Sequence, residues 1–527
     1  MDNQAAFDSK GTFTFNNLQS YMNNDAAQLR QALQTASFQA NQWQAYIFAG
    51  DDFRVTPDLT LNLGLRYEYG TIPLGMFGAT DPESLAVMVP GPVEKDMNNF
   101  APSIGFNWAP RSSSSLIGDG KTVVRGGFRM GYDVLFYNLL TVNGSNYPRV
   151  AVADVFSPGV QDVYPALLPK SGSAVFSPTN AYTNSPVDTQ NPDSKSWSLS
   201  VGREIGDFVV EVGYTRSKTG HGINQIHANP AILTEAQAAL VVATRNANAI
   251  PSVQARRVDP AIGGRTLIPA YVGPGNNDVE ARSEYNGVYV SLNKRLRHGI
   301  QFNASYTYSK FESNNDASLG EGGTTESSQR PQSMYDYDVE WSLSQFDRPH
   351  RFVVGYLVEL PGPKSGLLRQ VLGGWQLSGI TQFQSGRPFT IWTGVDSNGD
   401  GNVNSDRPDL VGGSLTWDKE HKTFTNDGYV TAPVGTNNLP LANSMAAGGS
   451  LGRNTERTAS WWQSDLSLLK RFYLWGDKQI VIRADAFNVF NQDDYGLPTL
   501  NMSSASFGQN TNNWGQRTFT LGAKFVF

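Results

Sequence analysis

Five oxygen-bearing side chains crowd into the eleven residues DSNGDGNVNSD: Asp396, Asn398, Asp400, Asn404 and Asp406. Oxygens at alternate positions, with Gly401 in sixth place, match the first half of a calcium loop, because a hard cation takes a shell of carboxylate and carbonyl oxygens. The match fails at position twelve, where Arg407 stands instead of a bidentate Glu. Asp406 or a more distant carboxylate then has to close the shell, and the same composition is also plain turn chemistry. Ca2+ is the one cofactor these residues suggest.

Other chemistries find less. GDGKT, from Gly118, ends like a phosphate-binding loop, but Ser115 occupies the place of the first glycine, so a turn between strands is expected. The five histidines (His221, His227, His298, His350, His421) form no HExxH pair, and no GxSxG elbow occurs. His221 and His227 share one long connection, where solvation is the simpler reading than a metal. Without a single Cys there is no disulfide, thiolate metal site or cysteine nucleophile. No enzyme is therefore expected. The formal charge of -6 leaves no basic field for a phosphate backbone, so no nucleic acid is expected either.

These residues sit in a chain rich in Gly (52) and aromatics (11%) but only 17% charged, a mixture that favours strands and turns. No window holds the 18 apolar residues of a membrane helix. Period-two alternation is the strong signal. Leu61, Leu63, Leu65, Tyr67 and Tyr69 alternate with Thr60, Asn62, Gly64, Arg66 and Glu68; Phe302, Ala304, Tyr306 and Tyr308 alternate with Asn303, Ser305 and Thr307. Ile480, Ile482 and Ala484, and finally Phe519, Leu521, Ala523, Phe525 and Phe527, repeat the pattern. About fourteen strands are expected, near 11–20, 42–53, 58–69, 100–108, 121–134, 194–204, 207–217, 283–297, 300–312, 349–360, 373–385, 461–473, 477–491 and 514–527. A helix is expected over Ala26 to Phe38, from Leu29 and Leu33.

Connection lengths alternate strictly: short at 54–57, 109–120, 205–206, 298–299, 361–372 and 474–476, long at 21–41, 70–99, 135–193, 218–282, 313–348, 386–460 and 492–513. A soluble domain avoids so many long loops, and no 40–50-residue repeat suggests a propeller. An all-β, antiparallel transmembrane outer-membrane β-barrel requires this pattern, with short turns on one rim and long extracellular loops on the other. Its polar faces would line a lumen, so Arg66, Glu68, Arg125, Arg129, Asp133, Glu211, Arg483 and Asp485 are the lumen-facing candidates. Outer-membrane lipid is then the first partner.

YIFAGDDFRVTPDLTLNLGLRYEY from Tyr46, NFAPSIGFNWAP from Asn99, GDGKTVVRGGFRMGYD from Gly118, FDRPHRFVVGYLVELP from Phe346, LGGWQLSGITQFQSGRPF from Leu372 and IRADAFNVFNQDDYG from Ile482 together resemble the barrel of TonB-dependent outer-membrane receptors, especially their Oar-like branch. The resemblance implies a plugged barrel of about 22 strands, energised import of a scarce small-molecule or oligomeric ligand, coupling to the TonB complex through an N-terminal plug, and a terminal aromatic, Phe527, used by the barrel assembly machinery. The start, MDNQAAFDSKGTF, shows neither a signal peptide nor a coupling box or plug. The expected organisation is a partial strand and loop over 1–41 and a C-terminal barrel portion over 42–527 of a longer receptor. A self-contained 14-stranded channel, or an adhesion or assembly barrel without transport, is the alternative.

Overall fold

The computed structural model describes the chain apart from residues 1, 6–10, 16–17, 33–35, 40–41, 72–93, 112–113, 115–116, 119, 136–151, 157–159, 161–164, 168–181, 186–187, 228, 245, 268–279, 317–330, 333–336, 395, 402–405, 419, 431–448 and 511–512. Thirteen strands follow one another in a single antiparallel sheet: β1 Gln44–Thr56, β2 Leu59–Gly70, β3 Phe100–Trp108, β4 Thr122–Tyr132, β5 Asp193–Ile205, β6 Phe208–Gly222, β7 Ala281–Arg297, β8 Ile300–Ser313, β9 His350–Glu359, β10 Trp375–Gln384, β11 Trp461–Tyr473, β12 Gln479–Phe487 and β13 Thr518–Val526. A fourteenth, Ser342–Leu343, pairs only with the end of β8. The order is the chain order, so every second connection lies on the same rim. One of the two-residue hairpins shows why the sequence turns where it does. Between β7 and β8, His298 and Gly299 both take positive φ (55° and 76°), the geometry of a two-residue turn matching strand twist.

Register separates the two faces. Val201 lies opposite Val212, which lies opposite Val290, then Tyr306, Phe352, Phe383 and Trp462. This apolar row crosses seven strands, and its side chains are 37–47% exposed. Leu63, Ile480, Ile482, Phe519 and Leu521 are exposed likewise, and Leu61, Phe302 and Ala304 half-buried beside their neighbours. A dry core between two packed sheets would have hidden them. In β7 the stretch Val288, Val290, Leu292 is bounded on its face by Asn286 and Lys294, which lie eight rises, or about 26 Å along the strand, apart, so the apolar band of this strand falls between them.

The long connections carry structure of their own. Phe389, Ile391, Phe424, Val430, Leu451 and Leu500 form a buried core, packed by Trp392, Trp417 and Phe507. It joins the connection after β10, with its hairpin Ser414–Asp418 and Thr423–Asp427, to the connection after β12. We call this unit the cap.

Two expectations fail near the start. The strand expected at 11–20 does not enter the large sheet: Thr12–Thr14 pairs with Gln28–Ala32, which pairs with Val152–Phe156. The helix expected over Ala26 to Phe38 is absent too, replaced by the strands Gln28–Ala32 and Ala36–Gln39. Leu29 is fully buried against Phe13, Phe15 and Val155, so tertiary packing overrides a weak local preference. Among the described residues of this stretch the helix is the short Leu18–Met22.

Among the described residues, β1 and β13 are not paired with each other. β1 is exposed along its whole length and β13 along all but its last residue.

Candidate functional site: a charged lumen beneath a latched cap

Strand alternation fixes which way each charge points. Register places Arg66, Glu68, Arg125, Arg129, Glu211, Arg483 and Asp485 on the face opposite the apolar row, and Asp133 continues the inward side just past β4. Four of the eight join in one feature. Arg66, Glu68, Arg129 and Asp133 line a cavity of about 1010 Å³, with Phe346 and Asn315 reaching in from the loop rim. Arg66 Nε lies 2.9 Å from Glu68 Oε1, and its guanidinium sits 4.7 Å over the Tyr46 ring.

The others stand apart along the wall. Glu211 accepts a hydrogen bond from Tyr289 Oη at 2.6 Å, and Arg125 lies across from Asn107 and Ser200. Arg483 Nε donates to Asp485 Oδ1 (2.7 Å) and Ser467 Oγ (3.0 Å) and helps line a second cavity of about 400 Å³ with Asp465 and Ile380. Acid and base lie side by side in the Arg66–Glu68 and Arg483–Asp485 pairs. Such a wall can hydrogen-bond a polar ligand or a partner domain of either charge.

At the mouth, loops from distant parts of the chain meet through buried ion pairs. Glu340 receives both a 3.0 Å and a 2.9 Å bond from Arg407 Nη1, and the backbone N–H of Gln332 donates to it at 2.8 Å. Arg453 donates to Asp316 Oδ2 at 2.7 Å and to the Glu340 carbonyl at 2.9 Å. Asn454 adds a bond to the same Asp316 oxygen at 2.9 Å. Burial works against the charged form of Asp316, yet Arg453 and the hydroxyls of Ser313 and Ser344 outweigh it and lower its pKa. Asp347 binds Arg457. Arg348, beside it, is pulled down to about 10 by burial and by the like charges of Arg387 and Arg457.

Sequence reasoning missed this latch. One signal was present: Asp-Arg-Pro occurs twice, at Asp347-Arg348-Pro349 and Asp406-Arg407-Pro408. In both copies the acid and the base are spent on different partners, which no local pattern reveals.

Other expected residues are dispersed. His221 Nδ1 lies 2.6 Å from Asp193 Oδ1, and its backbone N–H donates to Glu280 at 2.8 Å, so it is a paired strand-end residue. Phe527 is 90% exposed and stacks on Phe525. Asp396, Asn398, Asp400 and Asp406 lie in the cap, while Asn404 falls outside the described residues. Among the described residues, no group of three or more acidic or histidine side chains is placed to hold a metal.

The fold has relatives. The chain is similar to pyoverdine-bound FpvA of P. aeruginosa (12% identity, TM-score 0.41, 93% of this chain and 39% of that one). It is also similar to the outer membrane transporter YddB of Escherichia coli (10%, 0.49, 94% and 46%) and the siderophore receptor PirA of Acinetobacter baumannii (10%, 0.43, 94% and 46%). It thus spans less than half the length of these structures. No curated protein matches it. The profile of the outer membrane beta barrel domain matches residues 1–520, and with its exposed apolar row and polar inner face the chain belongs to that family of the bacterial outer membrane.

Proposed function

We propose that this chain is the barrel of an energised outer-membrane receptor, which takes a polar ligand from outside the cell through the cap and the charged lumen. It is no enzyme in this reading. The observation that carries it is the cavity of about 1010 Å³ at the junction of lumen wall and loop rim, lined by Arg66, Glu68, Arg129 and Asp133. A ligand admitted at the mouth meets those groups first, and a plug below would meet Glu211, Arg483 and Asp485. The long loops then face outward from the cell. The unpaired edges β1 and β13 support a further part of the reading: in lipid every strand edge must be paired, so this sheet is one portion of a larger, closed barrel. Phe527 is offered to the assembly machinery, and the TonB complex acts through the plug.

The test is uptake in cells expressing the natural gene, with a panel of iron-loaded siderophores as probes, the ligand class named for one of the similar structures. Energised import accumulates at least one probe above its outside concentration, and a protonophore abolishes the accumulation. Charge reversal at Arg129 (Arg129→Glu) should weaken uptake without lowering the amount of folded barrel. Equilibration that is indifferent to the protonophore would establish a passive channel instead.

A further inference from the structure

Asp406 is fully buried, yet only one of its carboxylate oxygens is used. Its Oδ2 accepts from the Ser397 N–H, from Ser397 Oγ at 3.0 Å and from the Asn398 N–H at 3.0 Å. Its Oδ1 is buried with no hydrogen-bond partner. Asp396 repeats the arrangement: Oδ2 accepts from the Gly401 N–H at 2.9 Å, and Oδ1 is buried and unpartnered. Two orphaned carboxylate oxygens thus occur at the two ends of one loop, which is folded back so that its last residue binds the backbone next to its first.

An unmatched buried carboxylate oxygen is costly, and one of its ordinary explanations is an ion. The surrounding charges point the same way. Burial, and then the negative charges of Asp400 and Asp396, push the Asp406 carboxyl well above the usual range. Burial also raises Asp396. The guanidinium of Arg256 acts on Asp396 and Asp400 from a distance, but its hydrogen bonds go to the carbonyls of Pro251, Ile232 and Gly399. No third carboxylate or histidine completes a ready-made cluster among the described residues. Two carboxylate oxygens are hard donors, which suit calcium rather than a soft transition metal.

We propose that Asp396 Oδ1 and Asp406 Oδ1 are ligands of a calcium ion held where the two described ends of this loop, residues 396–401 and Asp406, come together. The ion satisfies both orphans at once and ties the loop to Thr393, whose N–H donates to the Asp406 carbonyl at 2.8 Å.

Terbium, which takes calcium sites, tests this on the full chain folded in detergent. Trp392 adjoins Thr393, so terbium in the loop should emit on tryptophan excitation, and calcium at about 10⁻⁴ to 10⁻³ M should quench the emission by displacement while equal magnesium does not. Calcium should also raise the Tm of the wild type but not of Asp396→Asn or Asp406→Asn. Trp392→Phe should lose much of the emission yet keep the Tm rise, which locates the site even if the acidic variants fold poorly.

A wild-type Tm indifferent to calcium, or terbium emission that calcium does not quench, would overturn the proposal.

Discussion

Glu340 shows how much the mouth of this protein depends on single residues. It is 2% exposed and holds Arg407 by both of its oxygens, with Arg453 Nε 4.0 Å away. A buried ion pair need not outperform an apolar isostere, but removing one partner leaves the other charge in a medium that cannot solvate it, at a cost of about 3–5 kcal/mol. Glu340→Ala leaves the Arg407 guanidinium in that condition, while Arg453 keeps Asp316 at 2.7 Å. The cap should therefore open far more often, and limited proteolysis within residues 387–460 should accelerate while the folded sheet keeps its heat-shifted mobility on a gel. The control is Glu312→Ala, whose partner Lys310, 2.7 Å away, is 60% exposed; an exposed pair is worth about 0–1 kcal/mol, so its proteolysis should stay at the wild-type rate. Equal rates in the two variants would show that the latch does not hold the cap.

Strands were legible because each carries its own evidence: alternation at Leu61 to Tyr69 or Phe302 to Tyr308 is visible within ten residues, and all thirteen long strands have both ends within five residues of their expected bounds, the largest departure being β6, which runs on to Gly222. The cap was not legible, because its core draws Phe389, Phe424, Leu451 and Leu500 from separated stretches in which no period repeats. The lumen charges could be assigned a face by counting twos, but their partners could not, since Glu211 meets Tyr289 only once β6 and β7 are in register. The same pairing explains a glycine. A Cβ on Gly213 would lie 2.4 Å from Tyr289 Cζ, so the ring covers Gly213 on its way to Glu211. Gly213→Val should displace the ring and cost about 1–3 kcal/mol, as overpacking does, lowering the temperature of the gel-mobility shift. Gly213→Val combined with Tyr289→Ala should recover part of the loss; if the double variant is no better than the single, the ring is not what the glycine accommodates.

For the whole molecule the deciding property is that one sheet faces two solvents. A soluble protein would hide the row from Val201 to Trp462, and a continuous exposed apolar band of that extent has no place in water. In the outer membrane the band meets lipid, while the opposite face keeps Arg66, Glu211 and Arg483 wetted. Two neighbouring positions test this assignment cleanly. Val290 and Ser305 are both exposed in the middle of the β7–β8 hairpin, where Val290 lies opposite Tyr306 and Ser305 opposite Ser291, so they are close in space but on opposite faces. In water Val290→Arg and Ser305→Arg would be comparable surface changes. In a bilayer an arginine near the midplane on the lipid face costs about 2–4 kcal/mol, whereas a lumen position accepts the charge. Folding into lipid vesicles, followed by urea titration, should therefore show Val290→Arg destabilised by about that amount and Ser305→Arg within about 0.5 kcal/mol of the wild type. The reverse order would exchange lumen and lipid faces and with them every inward residue named above, and equal losses would deny the sheet a membrane altogether.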